Sequence, residues 1–205
     1  MCRKDTDINF GFGLMGSVNF YNTNVEIMNT EFIDNISGDD YLNIMNSKFY
    51  IKNTKFINSK ADSVDFDFSE GNLEDIYIIN SGNDGIDFSG SKASLKNIYM
   101  DGVGDKGLSV GEDSSIYAEN LSINNSYIGV ASKDLSFLEI KKLEIHDSKI
   151  IAAAYQKKIE FGPAKINIEK LIENNNETKF LSQKSSEIII QKNFISHTDY
   201  DYSLF

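Results

Sequence analysis

Short runs that alternate apolar and polar residues recur along the chain at a spacing of about 22 residues. Val18-Asn19-Phe20, Leu42-Asn43-Ile44, Val64-Asp65-Phe66, Ile86-Asp87-Phe88, Leu108-Ser109-Val110 and Val130-Ala131-Ser132 each put the first and third side chains on one face of a strand and the middle one on the other. A second set of runs (TEF, TKF, IYI, IYM, LSI) follows Asn29, Asn53, Asp75, Asn97 and Asn120, and Lys142 and Lys170 hold the same slot before LEI and LI. Those markers lie 24, 22, 22, 23, 22 and 28 residues apart. A unit of this length with strand chemistry and no helix cannot bury its own apolar face, so the pattern predicts a solenoid of stacked coils. The expected fold is all-β, a single-stranded parallel β-helix of seven to eight coils over residues 1–205, with the apolar pairs inward and Asn19, Asn43, Asp65, Asp87, Ser109 and Ala131 outward.

Stacking at the roughly 4.8 Å spacing of neighbouring strands turns each repeat position into a ladder of like residues. Asn29, Asn53, Asp75, Asn97 and Asn120 are thus expected to form an amide ladder, facing inward or into a turn. Turns fall at Asp34-Asn35, Asn58-Ser59, Asn80-Ser81, Asp101-Gly102, Asn124-Asn125 and His146-Asp147. The long step from Lys142 to Lys170 places an inserted loop at 152–165, where a rigid scaffold would present it. SEIIIQKN, residues 186–193, reads as a final rung, and residues 194–205 as a tail or terminal cap.

Composition narrows the class. One proline among 205 residues leaves the turns to Asn, Asp, Gly and Ser, and 14 Phe with 10 Tyr supply a core. A net charge of -11 argues against nucleic acid as a partner, because phosphate binding needs a cationic surface. The single Cys2 permits no internal disulfide, and no apolar run is long enough for membrane insertion. Met1-Cys2-Arg3-Lys4 is not followed by a signal-peptide core, and the first coil begins without a cap, so the chain is expected to be a fragment of a longer protein.

Candidate chemistry collects on one edge. The repeat stacks Asp40, Asp62 and Asp84 in one column, followed by Lys106 and Ile128, beside the outward column that holds Asp65 and Asp87 with Asp67 nearby. Carboxylates about 5 Å apart repel by roughly 3 kcal/mol at an effective dielectric of about 20, which favours a cation or a raised pKa. Two readings stay open: each Asp caps a tight turn and Lys106 neutralises Asp84, or Asp40, Asp62 and Asp84 offer oxygen ligands to Ca²⁺. No cofactor is required by either. His146 and His197 have no metal-ligand spacing, no serine has a histidine placed for a nucleophilic triad, and Tyr41, Tyr77, Tyr99, Tyr117 and Tyr127 read as packing residues or as sugar-stacking platforms.

NDGIDFSGS, followed 21 residues later by GDKGLSVGE, resembles the polygalacturonase pattern of an N-T-D coil, a G-D-D coil and a G-H-G coil, within the right-handed, pectin-lyase-like β-helix superfamily. The resemblance implies a right-handed helix and carries Asp84 onto the N-T-D aspartate and Asp105 onto the general acid. It also shows departures: Lys106 stands where the second G-D-D aspartate would help activate water, Ile128 replaces the histidine, and no R-I-K triplet follows. A closer likeness covers Gly82 to Pro163, whose SGNDGIDFSGS, GDKGLSVGE, IGVASKD and AYQKKIEFGP resemble the C-terminal β-helix of bacterial surface or spore-coat-type proteins that also carry a kinase-like domain. That likeness implies a surface or extracellular setting, with a polysaccharide or a neighbouring domain of the same chain as partner. Asp65, Asp87, Lys106, Glu112, Lys133, Asp134, Tyr155, Gln156 and Lys157 would then mark one binding side. The expectation is a non-catalytic or catalytically degenerate carbohydrate-associated module, with an active polysaccharide hydrolase or lyase and a structural spacer as the alternatives.

Overall fold

The structure, a computed structural model, describes residues 16–198 and residue 202. The chain winds as a parallel β-solenoid of about eight turns with ~22 residues per coil, so the architecture follows the repeat. The described residues hold sixteen strands in one continuous hydrogen-bonded system and no α-helix. Every pairing is parallel except the last.

Each coil has three faces. The first stacks β1 (Gly16–Tyr21), β4 (Asp40–Met45), β6 (Asp62–Asp67), β8 (Ile86–Ser89), the 106–111 end of β9 (Lys92–Gly111), the 128–133 end of β10 (Ser115–Lys133), β12 (Ile150–Tyr155) and β14 (Thr178–Ser182). The other two are built from β2 (Asn24–Met28), β3 (Glu31–Asn35), β5 (Lys48–Ser59), β7 (Glu70–Ser81), the rest of β9 and β10, β11 (Phe137–His146), β13 (Lys165–Asn174) and β15 (Glu187–Ile190). β16 (Asn193–Phe194) folds back antiparallel onto β15. Part of the expected 194–205 tail thus begins in a short hairpin, while 199–201 and 203–205 lie outside the described residues, as do Cys2 and the rest of 1–15.

The corners explain the Asn and Asp content. A strand turns sharply where one residue enters the left-handed region, which costs a branched side chain most and Asn or Asp least. Asn22, Asn46, Phe68, Gly90 and Glu112 do this at the first corner, Asn29, Asn53, Asp75 and Asn97 at the second, and Asp34, Asn58, Asn80, Gly102, Asn125, Asp147 and Asn175 at the third. The amide ladder sits at the second corner, faces solvent and is bonded across three of its four steps: Asn53 donates to Asn29 at 2.7 Å, Asn97 to Asp75 at 2.8 Å and Asn120 to Asn97 at 3.0 Å. A parallel ladder at the third corner links Asn58 to Asp34 and Asn80 to Asn58. The first corner uses buried serines instead. The N–H groups of Ser47, Ser69, Ser91 and Ser114 donate to the hydroxyls of Ser69, Ser91, Ser114 and Ser136, one coil on, at 2.9–3.1 Å.

Inward side chains fill the solenoid without a gap in the sequence of rungs: Leu42 and Ile44, Val64 and Phe66, Ile86 and Phe88, Leu108 and Val110 on the first face. Phe49, Phe66 and Phe88 stack with ring centroids 4.2 and 4.9 Å apart. The inserted loop is shorter than the spacing predicts. Ala152–Tyr155 belong to β12, in register with 130–133, because Ala152 and Ala154 continue the core. The irregular chain runs from 156 to 164.

Candidate functional site

The column Asn19, Asn43, Asp65, Asp87, Ser109 and Ala131 is in register through the first face. It points away from the core, as the alternation predicts, but much of it is covered: Asn43, Ser109 and Ala131 are all buried. Part of the reason is a second apolar cluster outside the solenoid, in which Ile128, Ala131, Ile150, Ala153 and Leu181 pack with Tyr155 and Tyr202. The two tyrosine rings stack at 5.8 Å. Tyr155 is therefore a buried packing residue, and burial pushes its hydroxyl above the usual tyrosine range.

The N-terminal half of the same face is acidic. Asp40 pairs with Asp62 between β4 and β6, and Lys106 with Ile128 between β9 and β10. Two of these carboxylates bind the backbone of the next coil: Asp62 Oδ1 accepts the Asp84 N–H at 2.8 Å, and Asp84 Oδ1 accepts the Lys106 N–H at 2.9 Å. Asn83 adds a bond to Asp62 at 2.6 Å. These bonds run from coil to coil and not within the turn, whereas the neutralising cation is where expected, since Lys106 Nζ lies 3.4 Å from Asp84 and closer still to Asp105. Burial works to lower the Lys106 pKa, but the Asp84 and Asp105 carboxylates outweigh it and hold the ammonium above its ordinary value.

Burial dominates the acids. It raises Asp40 to about 7, helped by Asp62, and Asp65 to about 9, helped by Asp67 and Asp87. Asp62 and Asp67 are raised for the same reason, and Asp84 is pushed up against the pull of Lys106. Asn43 ties Asp65 and Asp67 together, donating to Oδ2 of each at 2.9 and 3.1 Å. Asp65 Oδ1, Asp87 Oδ1 and Ser109 Oγ are buried without a hydrogen-bond partner.

The cationic residues close the edge. Lys133 Nζ lies 3.7 Å from Asp87 Oδ1, beyond hydrogen-bond length. Burial lowers Lys133, yet Asp87, Asp84 and Glu112 hold it above its usual value. Lys157 is depressed by burial and by Lys133 and Lys106. Glu112, which burial alone would raise, is held low by Lys158. Asp84, Asp87, Lys106, Glu112, Lys133 and Lys157 are thus brought to one edge of the first face, with Asp65 one rung away from Asp87. Oxygen atoms of Asp62, Asp84 and Asp87 come within 4.8 Å of one another. The trio that converges therefore includes Asp87 in place of the expected Asp40.

Two contributors escape the repeat pattern. Lys158 pairs with Glu112 across 46 residues, and the buried Asp134 accepts the N–H groups of Lys157 and Lys158 at 2.7 Å each, pinning the start of the loop. The sequence marks Asp134 only as part of a charged edge, and a contact this long-range leaves no periodic signal. Tyr77 and Tyr117 lie exposed on other faces, Tyr77 beside Tyr99 at 6.2 Å. Comparison of the chain with family models, with curated proteins and with solved structures finds no match.

Proposed function

We propose that this chain is a non-catalytic, carbohydrate-associated β-helix module of a bacterial surface or secreted protein, distantly related to the pectin-lyase-like enzymes and carrying a degenerate form of their site. The observation that supports it is the Lys106 ammonium, buried between Asp84 and Asp105. Inverting hydrolysis needs one protonated and one ionised carboxyl group with a water between them. Here an ammonium joins the two candidate carboxyls, and Ile128 in the next coil offers no proton carrier. The edge formed by Glu112, Lys133, Lys157, Lys158 and the 156–164 loop remains as a polar surface on which sugar hydroxyls find both donors and acceptors.

Affinity electrophoresis and calorimetry against pectin, alginate and neutral cell-wall glycans test this reading, with reducing-end release measured in parallel. The expected result is binding of at least one polymer, weakened by Lys157→Ala, with no reducing ends released. Hydrolysis by the wild-type chain that disappears in Asp105→Asn would establish an enzyme instead. Absence of binding to every polymer would leave the spacer.

A further inference from the structure

We propose that Asp62, Asp84, Asp87 and Ser109 form a binding site for one divalent cation of the calcium type on the outer side of the first face. Acidic clusters are common without a cation, so the case turns on Ser109. Its residue is 0 % exposed and its hydroxyl has no hydrogen-bond partner. Leu108 and Val110 point into the core, so Ser109 points the other way, on the strand next to Asp87 and in register with it. The hydroxyl stands one strand spacing from Asp87, whose own Oδ1 is also buried and without a hydrogen bond. Buried polar atoms are nearly always paired, and two adjacent oxygens left open beside two more carboxylates mark a place for a ligand that accepts only oxygen donors.

The donor set fits a hard cation. Carboxylate and hydroxyl oxygens suit Ca²⁺, whose bonds of about 2.4 Å let opposite ligands stand about 4.8 Å apart. The Asp62, Asp84 and Asp87 oxygens lie within that distance of one another. Mg²⁺ keeps several of its waters and is usually held by one or two carboxylates, so a set of three carboxylates and a hydroxyl suits Ca²⁺ better. Backbone N–H groups bond Oδ1 of Asp62 and Asp84, which holds both carboxylates in place beside Asp87. Lys106 bonds Asp84, whereas Lys133 is too far from Asp87 to bond it, so the Asp87 oxygen keeps no cation at bonding distance.

The site stands independently of the carbohydrate reading, and its test contains no sugar. The full chain is stripped with EDTA, dialysed and titrated with CaCl₂ by calorimetry and by thermal melting, in parallel with MgCl₂. One calcium per chain is expected, with Tm raised by about 5–10 °C at a hundredfold excess over Kd. Asp87→Asn should abolish the calcium-dependent part of that rise. Ser109→Ala removes an unpaired buried hydroxyl, so its EDTA-treated Tm should equal or exceed the wild-type value while its calcium Kd weakens roughly tenfold. Absence of calcium binding by the folded wild-type chain overturns the proposal, as does a calcium response preserved in Asp87→Asn or a Kd unchanged in Ser109→Ala. Equal affinity for Mg²⁺ overturns the assignment to calcium.

Discussion

Phe66→Ala probes the stacked interior most directly. Phe66 is fully buried, and its ring lies 4.2 Å from Phe49 and 4.9 Å from Phe88. Truncating a buried Phe to Ala costs about 3–5 kcal/mol in transfer and cavity terms. Two aromatic contacts are lost as well, each worth about 0.5–1.5 kcal/mol beyond area. Parallel strands hydrogen-bonded on both sides leave little room for collapse, so the upper part of the range, about 5 kcal/mol, is expected. In a solenoid this loss is not spread evenly, because each coil touches only its neighbours. The coils around β4, β6 and β8 should therefore open before those of β11 and β13. Urea unfolding followed by circular dichroism gives the magnitude, and hydrogen exchange resolved by segment gives the order. A loss below about 1 kcal/mol, or uniform loss of protection along the chain, would refute the stacked interior and the nearest-neighbour account respectively.

Four further outcomes are expected. Asn97→Ala removes bonds to Asp75 and Asn120 and puts Ala at φ 55°, costing about 1–2 kcal/mol by thermal melting; Asn97→Gly, which tolerates that φ, should cost less, and equal losses would mean that the corner is not strained. Gly82→Ala would set a Cβ 2.1 Å from the Lys60 carbonyl oxygen, forcing adjacent coils apart, and a variant with unchanged Tm would contradict that packing. In EDTA, stability should fall as pH rises from about 4: Asp40 and Asp65 keep protons in the folded state up to about 7 and about 9 that the unfolded chain releases near 3.8, so their contribution is full below 3.8 and is lost through those values; a Tm that climbs over this window would refute the burial of these acids. Lys106→Met strands the Asp84 carboxylate and should cost about 3–5 kcal/mol in urea unfolding, most of it recovered by adding Asp84→Asn; additive losses would mean that the pair is not coupled.

Most of the fold was legible because one physical constraint acts at one position in every coil. Left-handed corners select Asn and Asp, so Asn29, Asn53, Asp75 and Asn97 keep the register visible even though the strands between them vary. The serine ladder had an equally clear signal, since Ser47, Ser69, Ser91, Ser114 and Ser136 recur at 22 or 23 residues. It is easily missed because serine is common in any turn, and only burial distinguishes a hydroxyl that completes a neighbour's backbone from one that faces water. Loop length misled for a related reason. Ala152, Ala153 and Ala154 lack the strand propensity of their counterparts in other coils, yet pairing with 130–133 decides their conformation.

The site was legible as a set of columns but not as an environment. Alternation predicts which side of a strand a residue faces, and assigns the outer side to water only if nothing else covers it. Here Tyr155 and Tyr202 pack against that outer side near Ile128, Ala131 and Ala153, while Asp40, Asp62 and Asp84 line the rungs before it. The column accordingly changes from acid to base to apolar as Asp84, Lys106 and Ile128 follow one another. Lys106 occupies the junction, with carboxylates on one side and the Tyr155 cluster on the other. A carboxylate there would meet Asp84 and Asp105 with no cation between them, in a position that is 5 % exposed. The lysine at this position is therefore what the buried charge requires, beside the same packing that seals the outer face.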